Sequence, residues 1–150
     1  MAGAFRQFVD RYGVWLLAGA AVILLVGPSA RSWLAGPAPQ NGIAWRTDLT
    51  AALAEAKATH KLVLADFSAS WCPPCQRMKR EAWPDPQVRA LAQGKYIPVF
   101  LDVDTTGGKD AGGRYRVMAI PTIIVLSPDG EALRRTNFLT TEGLRAFLGG

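Results

Sequence analysis

Residues 65–75 read Ala-Asp-Phe-Ser-Ala-Ser-Trp-Cys-Pro-Pro-Cys and carry the most specific structural signal of the chain. It begins within a nearly unbroken apolar run at residues 62–67, as expected for a strand that is covered on both faces. It ends in two cysteines separated by two prolines, which fit the first turn of a helix because their missing N–H groups have no intrahelical partner there. We therefore predict a buried strand that runs into a helix, with Cys72 at the helix N-terminus.

The two cysteines of the chain, Cys72 and Cys75, are suited to thiol chemistry. Because they are three positions apart, a bond between them closes no long structural loop. Backbone N–H groups and the helix dipole at the N-terminus favour the thiolate of Cys72 and lower its pKa below the free value of about 8.5. We expect Cys72 to be exposed and nucleophilic, and Cys75, shielded one turn later, to resolve a mixed disulfide.

Metal binding is an alternative use of the cysteine pair. Zinc requires four ligands, whereas the chain offers a single histidine, His60, and no third cysteine. Cuprous ion accepts two thiolates, and Met78 and Met118 are candidate helpers, although methionine more often serves in packing. We predict no bound metal and no cofactor other than the redox-active pair. A cuprous-ion carrier and an inert adaptor that keeps only the fold remain as alternatives.

Two residues outside the Cys-Pro-Pro-Cys motif also indicate redox chemistry. Asp66 lies inside the apolar run, six residues before Cys72, where a carboxylate has to be desolvated or paired. A buried acid beneath a dithiol indicates proton transfer. Pro121 follows Ile120 at the start of another apolar run, where a trans proline would cost a central strand one ladder bond. We therefore expect a cis bond between Ile120 and Pro121.

Helix and strand patterns alternate along the rest of the chain. Asp48 is expected to cap a helix over residues 49–58, and Asp85 to cap a short helix that begins with Pro86. The glycine-rich residues 105–113 are predicted as a loop or a weak helix. Strands are predicted at residues 96–103, 121–126 and 131–136, the last two joined by a tight turn, and a closing helix at residues 141–148. This order predicts an α/β fold with a central mixed sheet and helices on both faces.

The N-terminal residues are expected to cross a membrane. Residues 12–30 carry no charged side chain, and a helix of that length reaches about 28 Å, close to the thickness of a bilayer core. Arg6 and Arg11 precede the span and Arg31 follows it, which slightly favours a cytoplasmic N-terminus. We predict a transmembrane anchor at residues 1–30, a linker at 31–42 and an extracytoplasmic domain at 43–150. A cleaved signal peptide is the alternative.

Charge argues against nucleic-acid binding. The net charge of +5 is the difference between 17 basic residues, twelve of them arginines, and 12 carboxylates. No basic run exceeds two residues, and the carboxylates are interspersed. We therefore predict partners among proteins, with the membrane contacted through the N-terminal helix.

These motifs resemble the thioredoxin superfamily over residues 43–148. The resemblance is carried by residues 65–75 and by Ile120-Pro121-Thr122. Pro121 lies 46 positions after Cys75. It implies a thioredoxin-like fold in which Cys72 attacks, Cys75 resolves and Asp66 is the buried acid. It also implies that Pro121 is a cis proline and that Ile120 pairs with the substrate backbone. Further substrate contacts are expected from Trp71, Pro73 and Pro74.

The flanking segments are most similar to the C-terminal domain of the transmembrane thiol:disulfide interchange reductase DsbD. That similarity lies in the helix over residues 48–58 and in Pro84-Asp85-Pro86-Gln87-Val88. It implies a reductase of disulfides in exported proteins, held at the inner membrane with its domain in the periplasm. Its electrons would come from an integral-membrane donor such as a DsbD-type reductase. A thiol oxidase or isomerase is the alternative.

The chain departs from thioredoxin at two places. Pro73-Pro74 stands between the cysteines instead of Gly-Pro, and residues 99–101 contain no lysine where thioredoxin places one near its buried acid.

Overall fold

The computed structural model describes residues 38–150, whose strands join in one four-stranded sheet. The elements of this part of the chain are, in order, α1 (Leu49–Thr59), β1 (Leu62–Ser68), α2 (Pro73–Glu81), α3 (Pro86–Lys95), β2 (Tyr96–Asp102), α4 (Thr106–Arg114), β3 (Thr122–Leu126), β4 (Ala132–Thr136) and α5 (Thr141–Gly149). The transmembrane anchor predicted at residues 1–30 lies outside the described residues. Within residues 38–150, no helix has the length and apolar character that a membrane span requires.

The sheet has the strand order β2-β1-β3-β4. β1 pairs parallel with β2 and antiparallel with β3, and β4 returns antiparallel to β3. The parallel pair needs a long crossover, which α2 and α3 supply, whereas a tight turn is enough between β3 and β4. The predicted mixed sheet is confirmed.

Helices cover both faces of the sheet, as predicted. Alternate residues of a strand point to opposite faces, so β1 sends Val63, Ala65 and Phe67 to one side and Leu64 to the other. The first side packs against α1 and α4, and the second packs against α2, α3 and α5. β1 is therefore buried on both faces, which explains its nearly unbroken apolar sequence.

The capping residues predicted from the sequence begin their helices. The Asp48 side chain accepts a hydrogen bond from the Ala51 amide, and the Asp85 carboxylate accepts two from the first turn of α3. Element boundaries differ from the predictions by one or two residues. In particular, β3 begins at Thr122, because Pro121 before it has no N–H to contribute to a ladder.

The glycine-rich segment forms a helix, α4, and not a loop. The Thr105 side chain caps it by accepting a hydrogen bond from the Gly108 amide at 3.1 Å. Gly108 also packs so closely on β2 that an added Cβ would lie 1.8 Å from the Asp102 carbonyl oxygen. Tertiary packing therefore outweighs the poor helix propensity of glycine.

We expect opposite effects from alanine at two glycines of α4. At Gly112 a Cβ meets nothing closer than Val117 at 4.0 Å, so Gly112→Ala should raise the free energy of unfolding by about 0.5–1 kcal/mol. Gly108→Ala should lower it, because the backbone carbonyl of Asp102 blocks the new methyl group. Urea unfolding of both variants measures the difference. Equal stabilisation by the two alanines would contradict the packing of α4 on β2.

Residues 38–42, assigned above to the linker, lie against the domain. Ala38 packs against the core cluster on the α2, α3 and α5 side of the sheet, and Pro39 is buried. The Asn41 side-chain oxygen accepts hydrogen bonds from the Trp45 indole at 2.9 Å and from the Ile43 amide at 3.3 Å. The folded unit therefore includes residues before the boundary at 43 that the sequence suggested.

Candidate active site

The two cysteines are joined by a disulfide at the start of α2. Cys72 is the N-cap residue, and Pro73 and Pro74 occupy the first turn with their rings exposed to solvent. The Cys75 amide donates a hydrogen bond to the Cys72 sulfur at 3.3 Å. A donor aimed at this sulfur stabilises negative charge on it, as the helix dipole does, so the geometry favours a thiolate at Cys72 after reduction.

The expectation that Cys72 is exposed is wrong for the disulfide form. Cys72 is 2% exposed and Cys75 is 3% exposed. Both pack in a small apolar cluster with Ala69, Val103 and Ile120, of which Val103 was not expected at the site. The two sulfurs therefore differ in their hydrogen bonding and position in the helix, not in their burial.

Asp66 lies in β1, on the sheet face that α2 covers, and is 4% exposed. Burial raises the pKa of its carboxyl to about 7, because the charged form loses its hydration. The positive charge of Lys79 and a hydrogen bond from the Trp83 indole oppose this rise in the pKa. An acid with a pKa near neutrality can both take up and release a proton at the pH at which thiols exchange.

Lys79 was not singled out as a site residue in the sequence. It lies on α2, one turn after Cys75, and its ammonium is 5.1 Å from the centroid of the Phe100 ring. Phe100 is the direct neighbour of Asp66 across the β1–β2 pair. A lysine from the helix therefore acts on the buried acid, although β2 carries none at residues 99–101. The helical spacing from Cys75 was the sequence signal that could have found it.

An exposed apolar surface borders the disulfide. Trp71 is 63% exposed and its indole donates a hydrogen bond to the Asp104 carboxylate at 2.7 Å, which holds the ring in place. Ile120 is half-buried beside the cysteines, and the peptide bond between it and Pro121 is cis. Met118, two residues earlier, is 93% exposed, so the packing role expected for it is not observed. The surface thus joins the N-terminus of α2 to the loop before β3.

Phe138 adds a further apolar side chain beside the start of α2. It lines a shallow cavity of about 420 Å³ together with Pro73, Pro74 and Arg77. The Arg77 guanidinium lies 5.7 Å from the centroid of the Phe138 ring. Phe138 follows β4 and is far from the cysteines in sequence, so no local pattern indicated its place near them.

The structure offers little to a metal ion beyond the two sulfurs. Among residues 38–150, no three histidine, cysteine or carboxylate side chains are grouped as metal ligands. Met78 is buried in the main core on the α2 side, and Met118 points into solvent, so neither packs against the cysteines.

Comparison with known proteins places this arrangement in a family. The sequence pattern of a family described as thioredoxin-like matches residues 44–128. The thiol:disulfide interchange protein DsbD 2 of Pseudomonas aeruginosa is 34% identical over 96 residues, which are 63% of this chain and 16% of that protein. The chain therefore spans less than a fifth of the length of this DsbD relative.

Solved structures share the fold. A thioredoxin from Thermus thermophilus superposes with a TM-score of 0.66 at 29% identity, covering 72% of this chain and 85% of the thioredoxin. The oxidised C-terminal domain of DsbD from Neisseria meningitidis superposes with a TM-score of 0.56 at 22% identity, covering 67% of this chain and 90% of that domain. The second likeness concerns the fold alone.

Proposed function

This chain belongs to the thioredoxin-like family, and from that premise and the geometry of the cysteine site we propose that it is a thiol:disulfide oxidoreductase. We propose further that it reduces disulfides of exported proteins from an anchor in the inner membrane. The observation that carries the proposal is a Cys72–Cys75 disulfide at a helix N-terminus, with Asp66 buried on the sheet face beneath that helix.

The reaction begins with the reduced pair. The Cys72 thiolate attacks one sulfur of a substrate disulfide, so that a mixed disulfide forms and the other substrate sulfur leaves as a thiolate. The substrate chain lies on an apolar surface formed by Trp71, Pro73, Pro74 and Ile120. Pro121 shapes the loop that holds Ile120. Cys75 then loses its proton to Asp66 and attacks the Cys72 sulfur. The second substrate thiolate leaves, and the Cys72–Cys75 disulfide is formed.

Each turnover transfers two electrons to the substrate and leaves the enzyme oxidised. Regeneration therefore needs a dithiol donor that reduces the Cys72–Cys75 disulfide by the same exchange. We propose an integral-membrane donor of the DsbD type, since DsbD relatives match this domain. The proposed membrane anchor at residues 1–30 would keep the domain near such a donor.

The equilibrium reduction potential of the Cys72–Cys75 pair tests the direction of electron flow. Equilibration of the full-length chain with glutathione or dithiothreitol buffers, followed by thiol alkylation, measures it. A reductase should have a potential near that of thioredoxin, at about −270 mV, whereas a potential near −120 mV would identify a thiol oxidase. Cuprous-ion titration of the reduced chain should show weak binding, and tight stoichiometric binding would favour the carrier.

Cell fractionation tests the anchor independently. We expect the full-length chain in the membrane fraction. Recovery of a soluble chain that begins near Arg31 or Pro39 would show cleavage of a signal peptide instead.

A further inference from the structure

A cavity lined by basic side chains lies beside the C-terminal half of α2. Its volume is about 610 Å³, and its walls come from the C-terminal half of α2, from α3 and from the segment before α1. Among residues 38–150, its charged lining residues are Lys79, Arg80 and Arg89, with no carboxylate. The nearby acids Glu81 and Asp85 are already paired, with Arg77 and Arg145 respectively.

Two buried N–H donors at this cavity have no hydrogen-bond partner among the described residues: the Asn41 side-chain nitrogen and the Arg89 Nε. The orientation of the Asn41 amide is set by its oxygen, which already accepts two hydrogen bonds. The side-chain NH₂ group of Asn41 therefore donates no hydrogen bond to the described residues. A buried donor without an acceptor is unfavourable, so a ligand that supplied acceptor oxygens to these donors would be bound more tightly.

The Arg89 side chain packs closely on the backbone at Gly42. Gly42 has a φ of +82°, and an added Cβ would lie 2.6 Å from Nη1 and 2.9 Å from Cδ of Arg89. Glycine is therefore favoured at position 42 by the backbone conformation, and a larger residue would displace the arginine. The Arg89 guanidinium occupies space that a side chain at position 42 would otherwise fill.

From these observations we propose that the cavity between α2, α3 and residues 40–42 is a binding site for a phosphate group. Three cations that form no salt bridge with a carboxylate of residues 38–150 supply the charge, and Asn41 and Arg89 supply unused donors for the oxygens. The helix dipole favours cations in the last turn of α2, where Lys79 and Arg80 lie. Arg89 lies in the first half of α3, where the helix dipole does not favour a cation. The same chemistry is offered by free phosphate and by a phospholipid headgroup.

Lys79 connects the cavity to the disulfide site. It lines the cavity, and its charge acts on Asp66. A bound phosphate would partly neutralise Lys79 and thereby raise the pKa of Asp66 further. This consequence depends on the proposed oxidoreductase function, whereas phosphate binding itself does not.

Titration of the full-length chain with inorganic phosphate tests the site. Binding is measured by calorimetry and by the arginine Nε–Hε resonances, with sodium chloride at equal ionic strength as the control. We expect a shift of the Arg89 resonance and, in both Arg80→Gln and Arg89→Gln, about tenfold weaker binding. Lys109→Gln is the matched control, because it removes one exposed charge on α4, on the opposite face of the sheet.

The two sources of phosphate are separated by a second titration with glycerophosphoglycerol, the water-soluble headgroup of phosphatidylglycerol, which the proposed anchor at residues 1–30 does not bind. Binding of this phosphodiester that is lost in Arg89→Gln and kept in Lys109→Gln would identify a lipid headgroup as the source. Binding of inorganic phosphate alone would identify a free anion. Equal binding of either probe by the wild-type chain, Arg89→Gln and Lys109→Gln would overturn the proposal, because it would report only the general positive charge. If Arg89→Gln does not fold, Arg80→Gln replaces it as the test variant in both titrations.

Discussion

Replacing Cys72 with serine should abolish disulfide exchange, whereas replacing Cys75 with serine should trap substrates covalently. In Cys72→Ser the sulfur that accepts the Cys75 amide hydrogen bond is gone, and a serine hydroxyl does not attack a disulfide at neutral pH. In Cys75→Ser the attack by Cys72 still occurs, but no internal thiol resolves the mixed disulfide. Catalytic turnover should fall to the uncatalysed background in both variants.

Non-reducing electrophoresis of cells that express each variant distinguishes the two cysteines. Complexes should accumulate with Cys75→Ser and be almost absent with Cys72→Ser. Since both sulfurs are equally buried in the disulfide form, this asymmetry has to come from the helix N-terminus and the hydrogen bond at Cys72. Equal trapping by the two variants would refute that explanation. Capture of exported proteins and a membrane donor would support the reductase, and capture of a quinone-linked oxidase would reverse the direction of electron flow.

Replacing Asp66 with asparagine should stabilise the fold at alkaline pH and slow the release of substrate. The pKa of Asp66 is about 7 in the folded protein and near 3.8 in the unfolded chain. Between these values the folded protein holds a proton that the unfolded chain has lost, so stability declines as the pH rises through this interval. The free energy of unfolding falls by about 1.4 kcal/mol per pH unit in this interval. The total decrease is on the order of 4 kcal/mol and is complete above about pH 7.

Urea unfolding of Asp66→Asn across the pH range measures this effect. The variant should gain on the order of 2–4 kcal/mol over the wild-type chain near pH 8 and little near pH 4, where the wild-type acid is protonated in the folded state. Asp129→Asn is the matched control, because the Asp129 side chain is 78% exposed and only pairs with Lys57. A gain for Asp66→Asn that is independent of pH would show that the carboxyl does not titrate as stated.

The kinetics of the same variant test the proton transfer. Resolution of a preformed mixed disulfide should be slower in Asp66→Asn near pH 7, because Cys75 has lost its proton acceptor, while the initial attack by Cys72 should change little. Rapid-mixing measurements of the two steps separate these effects. Unchanged resolution would mean that another group accepts the Cys75 proton.

The helices and strands of the domain and the centre of the site could be predicted from local sequence patterns. The apolar run before Cys72, the prolines after it and the caps Asp48 and Asp85 act through neighbours a few residues away. Such local interactions depend on helix and strand geometry, which a sequence displays directly. The burial of Asp66 followed in the same way, because its neighbours in sequence are apolar.

Several groups around those residues follow only from tertiary packing. The charge of Lys79 acts on Asp66, Phe138 joins the surface beside Pro73, and Val103 packs on the cysteines because distant elements meet at one end of the sheet. The glycine-rich α4 is helical for a similar reason, since its contact with β2 outweighs its low propensity. Contacts between residues far apart in the chain depend on how the elements pack, and hydrophobic periodicity carries no information about the partner that each face will find.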